Sequence, residues 1–333
     1  MRKHRVLIIG NGRIGRAVAS YCKRVPSIGG VDFFAAQKNL SSYDLFIGAL
    51  PGELGEKCLA LALRWKRNLL DISDVDPPFY LRHRKAIEKC GILVVPGCGF
   101  SPGLVNCILG REAAGHPGAK DIEIKAGSLA RTPHYFPFLW CFEDLMLEHQ
   151  IPSWQIVNGR KIKCQPFEGY RKEKVFGIAA ESYYCASGFE NVLGKIPVRN
   201  FIFRVVRPEG FRDFFLFFNS QGFLSDTNRT FSKRVAEGRA EDNSTFAEIA
   251  LSAGNKKTRW LVRNFSRRGE ALNSMQKITA SVPAILAGWI AAGTLKNQGL
   301  VFMEELGKDP ALFSNLSGAL RAQGFEITRR AVA

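Results

Sequence analysis

The chain has 333 residues, 46% of them hydrophobic, and a formal net charge of +17. That length favours about two domains, and that apolar content excludes a disordered chain. No apolar run reaches the roughly 18 residues that cross a bilayer. The eight cysteines and five histidines show no paired spacing for a disulfide framework or a metal.

Residues 5–9 (RVLII) form a short β-rich apolar run. Gly10-Asn-Gly-Arg-Ile-Gly15 follows at once, and residues 16–22 read as a helix. Strand, G-x-G-x-x-G, helix is the order of a dinucleotide-binding turn. Gly10 permits the tight turn, Gly12 lets the backbone approach a pyrophosphate, and Gly15 lets the helix pack on the strand. Arg13 and Ile14 complete a turn at the positive end of the helix, where N–H groups await an anion. The other reading is a glycine turn with no ligand. Residues 1–5 run straight into the strand, so no signal peptide is expected. With single, unpaired cysteines, a cytoplasmic protein with reduced thiols is expected.

Residues 29–36 read as a second strand and 43–50 as a third. Only residues 37–42 separate them, whereas a parallel crossover takes about a dozen residues and a helix. A helix-and-strand unit of the ordinary nucleotide-binding half is therefore missing. The second strand ends in Ala35-Ala-Gln-Lys38. No acid stands there for ribose hydroxyls, and Lys38 makes NADP physically easier than NAD; alternatively Lys38 is only a loop lysine.

The α/β rhythm then resumes. Residues 54–65 have helical spacing, with Leu54, Cys58, Leu61, Ala62 and Trp65 on one side. Strand 68–73, helix 77–89 and strand 92–95 follow. Asp71 and Asp74, after a parallel strand, either reach a substrate ammonium and hold water or cap the next helix. A glycine- and proline-rich turn, residues 96–106, stands at the strand edge where open α/β sheets bind ligands. Cys98 within it reads as a packing residue.

From about residue 117 the pattern changes to strands at 121–125, 155–162, 198–206 and 214–218, with 258–265 as the last. Asn158-Gly159 marks a two-residue hairpin turn. Residues 142–149 and 240–253 read as helices. A mainly antiparallel sheet covered on one face is expected. An apolar helix, 278–292, follows, started or kinked by Pro283. The basic residues are dispersed, and no nucleic-acid fold is visible, so nucleic acid is not expected as a partner; a dinucleotide and an acidic substrate would benefit from the same field.

Taken together, several stretches resemble the saccharopine dehydrogenase-like oxidoreductases, a family that includes lysine 6-dehydrogenase and carboxynorspermidine dehydrogenase. They are the Gly10 to Gly15 turn, DLFIGALPG at 44–52 and GCGFSPGLVN at 97–106. FEDL at 142–145 with the Asn158-Gly159 hairpin, TASVPAILAG at 279–288 and GLV at 299–301 add to it. The resemblance covers nearly the whole chain. It implies a Rossmann-type α/β sheet, shortened in its first half, in residues 1–116, joined by C-terminal helices 278–333. It also implies an α+β domain, 117–277, for substrate binding and homodimerisation.

The activity implied is hydride transfer at a C–N bond, amine or imine, of a small amino-acid-like substrate, with NADP or NAD. Ala49, Leu50 and Pro51 would lie beside the cofactor, and Gly99, Pro102, Gly103 and Asn106 near the nicotinamide and substrate. The family places the loop of Arg131 and His134 over the substrate. There Arg131 would grip a carboxylate and His134 transfer a proton, unless both are ordinary surface residues. Glu181 and Tyr183 would face the substrate or pack at a dimer interface. Two departures stand out: Gly97 occupies a position where an acid often stands, and the adenosine half is short. A cofactor-poor relative serving as a binding or structural subunit is the alternative reading.

Overall fold

The computed structural model describes residues 2–36, 39–115, 120–130, 141–186, 188–189, 192, 195–225, 227–228, 230 and 242–332. The chain divides into two compact units. The first comprises Met1–Pro117, Gly188–Lys195 and Lys277–Gln323; the second comprises Gly118–Ser187, Ile196–Gln276 and Gly324–Ala333.

In the first unit the apolar runs become parallel strands: β1 (His4–Ile9), β2 (Ile28–Phe33), β3 (Leu45–Gly48), β4 (Asn68–Asp71) and β5 (Leu93–Pro96). With Gly299–Leu300 at one edge they form a six-stranded sheet among the described residues, ordered Gly299–Leu300, β5, β4, β3, β1, β2. Strands covered on both faces need apolar residues on both. Val6, Leu7 and Ile8 of β1, and Phe46 and Ile47 of β3, are accordingly fully buried. The unit's helices include α1 (Arg13–Cys22), α2 (Gly52–Trp65), α3 (Pro77–Arg82), α4 (Arg84–Cys90) and α5 (Leu104–Gly115). The segment expected as one helix at 77–89 is thus two, broken at His83, whose φ is −93° and ψ 0°. The apolar helix runs from Ser274 to Ala291, with Pro283 inside it.

β2 and β3 both pair with β1, one on each side, in parallel. The chain must therefore cross β1 between Phe33 and Leu45. An extended chain covers about 3.3–3.6 Å per residue, so residues 34–44 suffice for the return without a helix. A 3₁₀ turn, Phe34–Ala36, begins the crossing. Leu40 and Tyr43 are then inserted into the core against β1 and β3 residues such as Leu7 and Phe46. The Tyr43 hydroxyl donates to Asp32 Oδ2 on β2 at 2.9 Å. The Arg5 N–H of β1 donates to Asp44 Oδ2 at 2.8 Å. Two buried side chains and two carboxylates do the work of the absent helix.

The second unit holds β6 (Lys120–Ala130), β7 (Ser153–Val157), β8 (Arg160–Cys164), β9 (Arg171–Val175), β10 (Ile178–Tyr183), β11 (Val198–Pro208), β12 (Asn243–Ala253) and β13 (Lys256–Ser266). The sheet order is Glu326–Val332, β13, β12, β6, β11, β10, β9, and the β7–β8 hairpin pairs with β11. β6 and β11 are parallel, and the other pairs are antiparallel. Asn158 and Gly159, with φ of 49° and 76°, make the tight turn that two left-handed residues favour.

Three further segments correct the sequence reading. Residues 214–218, expected as a strand, lie in helix Phe211–Ser220. Only Phe211 and Phe215, one turn apart, are buried there, while Phe214 and Phe217 are exposed. That is helical spacing. Of residues 240–253, expected as a helix, Asn243–Ala253 give β12 instead. Their burial alternates at Ala247, Ile249 and Leu251, and pairing on both sides overrides helix propensity. Residues 326–332, taken with the C-terminal helices, form a strand on β13, so 258–265 is not the last strand. Ile327 and Thr328 are β-branched, and exposed arginines at 329 and 330 suit an edge.

The buried imidazole of His149 sits amid the rings of Phe167, Phe211 and Phe215, with centroids 5.1–5.4 Å away. Its Nδ1 lies 2.8 Å from the Leu145 carbonyl oxygen and its Nε2 lies 3.0 Å from the Tyr183 hydroxyl. A neutral ring satisfies both: Nδ1–H donates to Leu145, and Nε2 accepts from Tyr183. Burial, reinforced by the Arg207 charge, lowers its pKa to about 3. The unfolded chain therefore takes up this proton first, near pH 6.5. Stability is full above that pH and falls below it, by up to about 1.4 kcal/mol per pH unit. Urea unfolding at pH 7.5, 6.5 and 5.5 should show this decline, and His149→Gln should flatten it.

Candidate functional site

β1 ends at a backbone contact that admits no side chain. A Cβ on Gly10, whose φ is +130°, would lie 2.2 Å from the Ala49 carbonyl oxygen. A Cβ on Gly15 would lie 2.1 Å from the Gly10 carbonyl oxygen. These two glycines bring the start of α1 and the loop after β3 onto the end of β1. Gly12 differs: a Cβ there meets nothing within 4 Å. It is the N-cap of α1, no side chain caps the helix, and its first turn holds no acid. The N–H groups and dipole of that turn, with Arg13 and Ile14 in it, are directed at open space suited to an anion. Arg16 Nε donates to both Asn11 O and Asn11 Oδ1 at 3.1 Å, which holds the turn in place.

Beside the turn lies a cavity of about 580 Å³. Ile9, Gly10, Asn11 and Leu50 line it below, and Phe33, Phe34 and Ala35 at the end of β2 line one side. Leu54, Lys57, Ala60, Leu61 and Arg64 of α2 line the other. Phe34 and Leu54 are 37% and 41% exposed, large apolar side chains facing a cavity. The size and apolar walls suit a flat heterocycle. Of the residues that spacing puts on one side of α2, Cys58 and Ala62 are in the core and Leu61 and Trp65 pack against it, while Leu54 is exposed; Leu54 and Leu61 also form part of the cavity wall. Lys57 and Arg64 carried no sequence signal beyond sharing the stripe of Leu54 and Leu61 at helical spacing.

Ala49, Leu50 and Pro51 follow β3 directly. Ala49 N–H donates to Ile9 O at 2.8 Å, and Leu50 N–H to Ser73 Oγ at 3.2 Å. The 99–106 loop is equally constrained. Gly103 N–H donates to Asn106 Oδ1 at 3.0 Å, and a Cβ on Gly103 would lie 2.0 Å from Gly99 O. Pro102 follows a cis peptide bond, and Gly188, within the same unit, packs against its ring. Asn106 is buried and fastens the loop rather than opening onto solvent.

Asp71, expected to reach substrate, is fully buried. Its carboxylate accepts from Ser73 N–H at 2.9 Å and from the Tyr80 hydroxyl at 2.8 Å. Burial raises its pKa above the usual carboxylate range. It ties the β4 edge together and offers no free oxygen to a ligand. Asp74 is exposed on the loop that follows. Cys98 is buried, with Sγ 3.5 Å from Asp71 O, as a packing residue should be.

Glu181 and Tyr183 lie in the second unit, both buried. Glu181 accepts from Gly210 N–H at 2.8 Å and Arg212 N–H at 2.5 Å, and so caps helix Phe211–Ser220. Tyr183 bonds His149. Neither presents a free polar group to a small molecule. Lys38, Arg131 and His134 lie outside the described residues. Among the described residues, Glu148, His149 and Cys185 approach one another closely enough for a metal. Both His149 nitrogens have protein partners, however, and Arg207 Nη2 donates to Glu148 Oε1 at 2.6 Å. The donor set fits a buried ion pair, not a metal.

These contacts separate the three glycines by experiment. Gly10→Ala and Gly15→Ala should each cost about 1–3 kcal/mol or more, because a backbone oxygen must move. Gly12→Asp should leave stability unchanged or slightly raised, since Asp is a favourable N-cap. Circular dichroism melts of the three variants check this ordering. Glu181→Ala should lower stability by about 1–3 kcal/mol by uncapping a buried helix end, which denaturant titration would register.

No protein-family model and no curated protein matches the chain. Its structure is similar to apo saccharopine dehydrogenase (L-Glu forming) from Saccharomyces cerevisiae, with a TM-score of 0.76 and 14% identity, covering 99% of this chain and 100% of that one. An engineered D-amino acid dehydrogenase bound to NADP+ matches at a TM-score of 0.47 and 13% identity, covering 94% and 96%. The C. glutamicum DAP dehydrogenase in complex with DAP matches at 0.46 and 14%, covering 96% and 99%. The fold likeness rests on the yeast enzyme. From end to end, the chain has the saccharopine dehydrogenase-like fold that its glycine turn and its P-G and GCGFSPG loops resemble.

Proposed function

We propose that this chain is an NAD(P)-dependent oxidoreductase that transfers hydride at a C–N bond of a small amino-acid-like substrate. The observation that carries the reading is the uncapped α1 N-terminus opening beside an apolar cavity of heterocycle size. The α1 turn would hold the pyrophosphate and the cavity the adenosine. Ala49 to Pro51 and the stiff 99–106 loop would position the nicotinamide half. The dinucleotide, when bound, gives or takes the hydride. The protein contributes position and exclusion of water, which supply much of the rate in such reactions. The yeast enzyme of like fold is L-Glu forming, and an amino-acid substrate is carried over from it together with the sequence resemblance.

In this proposal Arg131 grips the substrate carboxylate, His134 moves the proton, and Asp74 is a second candidate at the β4 edge. Asp71, Asn106, Glu181 and Tyr183 act structurally in this proposal, a reading their hydrogen-bond partners support. A homodimer through the second unit is proposed with it. Among the described residues no helix is long and apolar enough to cross a membrane.

Calorimetric titration with NADPH and NADH is the direct test. Wild-type protein should bind at least one, and Gly12→Asp should lose about tenfold or more in affinity, as a carboxylate meets the pyrophosphate. Undiminished binding by Gly12→Asp would remove the pyrophosphate from this turn. Binding of neither dinucleotide would leave the chain a cofactor-poor binding or structural subunit. Turnover of an amino-acid panel, followed by nicotinamide absorbance, then addresses the substrate class.

A further inference from the structure

The cavity beside the α1 turn has an asymmetric wall. Its β2 side is Phe33, Phe34 and Ala35, with no ionisable group among the described lining residues. Its α2 side carries two cations, Lys57 and Arg64, on one stripe with Leu54 and Leu61. They stand two helical turns apart, about 10 Å along the axis. Both are exposed. Neither has a hydrogen-bond or ion-pair partner among the described residues, and none of the lining residues is acidic.

A dinucleotide site that takes NAD normally ends its second strand in an acid that binds the ribose diol. The acid of β2 here is Asp32, which is not among the residues lining the cavity; its Oδ2 accepts from Arg5 Nη2 at 3.0 Å and from the Tyr43 hydroxyl at 2.9 Å. A vicinal diol thus finds no carboxylate in this cavity, while an anion finds two unpaired cations. Cations above an apolar floor match a purine whose ribose carries a phosphate.

We infer that Lys57 and Arg64 of α2 hold the 2′-phosphate of NADP(H) and make this chain selective for it over NAD(H). The inference rests on the dinucleotide reading above and adds the residues that choose the cofactor. Recognition of this phosphate comes from a helix across the cavity from the apolar Phe33, Phe34 and Ala35. Each cation contributes one charge-assisted contact to the phosphate, and neither touches the unphosphorylated ribose.

The test is binding, measured calorimetrically on the full chain with NADPH, NADH, adenosine 2′,5′-bisphosphate and 5′-AMP. Wild type should bind NADPH about tenfold or more tightly than NADH, and the bisphosphate more tightly than 5′-AMP by a similar factor. Lys57→Ala/Arg64→Ala should abolish both differences and leave NADH affinity unchanged. Salt should weaken NADPH binding more than NADH binding in wild type and equally in the variant. Equal affinity of wild type for NADPH and NADH overturns the inference and leaves the dinucleotide reading standing. So does a variant that keeps the preference, or one that loses NADH affinity in parallel. Binding of none of the four ligands overturns both. Far-ultraviolet circular dichroism confirms that the variant is folded, which exposed side chains without partners should permit.

Discussion

The first unit depends on one backbone contact, the end of β1 laid directly on the loop after β3. Gly10 has no Cβ, so its backbone can rest on the Ala49 carbonyl, and Gly15 can rest on Gly10 in turn. A further set of hydrogen bonds runs outward from that contact. Ala49 N–H reaches Ile9 O, Leu50 N–H reaches Ser73 Oγ, Ser73 N–H reaches Asp71, and the Asp71 carboxylate takes the Tyr80 hydroxyl. The carboxyl ends of β1, β3 and β4 are thereby fixed along one edge. Any ligand bound at that edge meets a surface that is already organised, which lowers the entropy cost of binding.

Asp71 shows what this organisation costs. A carboxylate in a water-free core is unfavourable unless it is hydrogen-bonded, and burial raises its pKa accordingly. Its two donors, Ser73 N–H and Tyr80 O–H, offset that penalty and fasten the loop after β4 to α3. Gly48 gives way to the same group: a Cβ there would lie 2.5 Å from Asp71 Oδ1. A residue at the edge of a parallel strand can thus resemble a catalytic acid in sequence while serving entirely as a brace. Glu181 repeats the lesson in the second unit, where an acid that invites a substrate role caps a helix.

What could be read without coordinates followed from local chemistry. The glycine turn, the parallel strands and the Asn158-Gly159 hairpin each rest on a few adjacent residues with one good conformation. The missing crossover was legible by length alone, as residues 37–42 are too few for a helix. What sequence did not convey depended on partners far along the chain. Residues 243–253 have helix-forming side chains, and become a strand because β6 and β13 pair with them on both sides. Phe211 to Phe218 look β-prone, yet only two of their rings find a core. The strand at 326–332 is far in sequence from β13, its partner. In the site, Asp71, Asn106, Glu181 and Tyr183 have ligand-like chemistry, and only their hydrogen-bond partners reveal where that chemistry is used.

The shortened crossover links the fold to the cavity. In an ordinary dinucleotide fold a further strand lies beyond β2, and the loop after β2 carries the group that reads the ribose. Here β2 is the edge of the sheet. The chain leaves it through Phe34–Ala36 and turns back at once to bury Leu40 and Tyr43. Asp32, the acid on β2, is used to anchor that return by accepting from Tyr43. On this side the cavity has an apolar rim of Phe33 and Phe34, and Asp32 is not among its lining residues. Among the described lining residues the polar side chains are Asn11 at the α1 turn and Lys57 and Arg64 on α2. The heads of Lys57 and Arg64, exposed and without a partner among the described residues, stand in water.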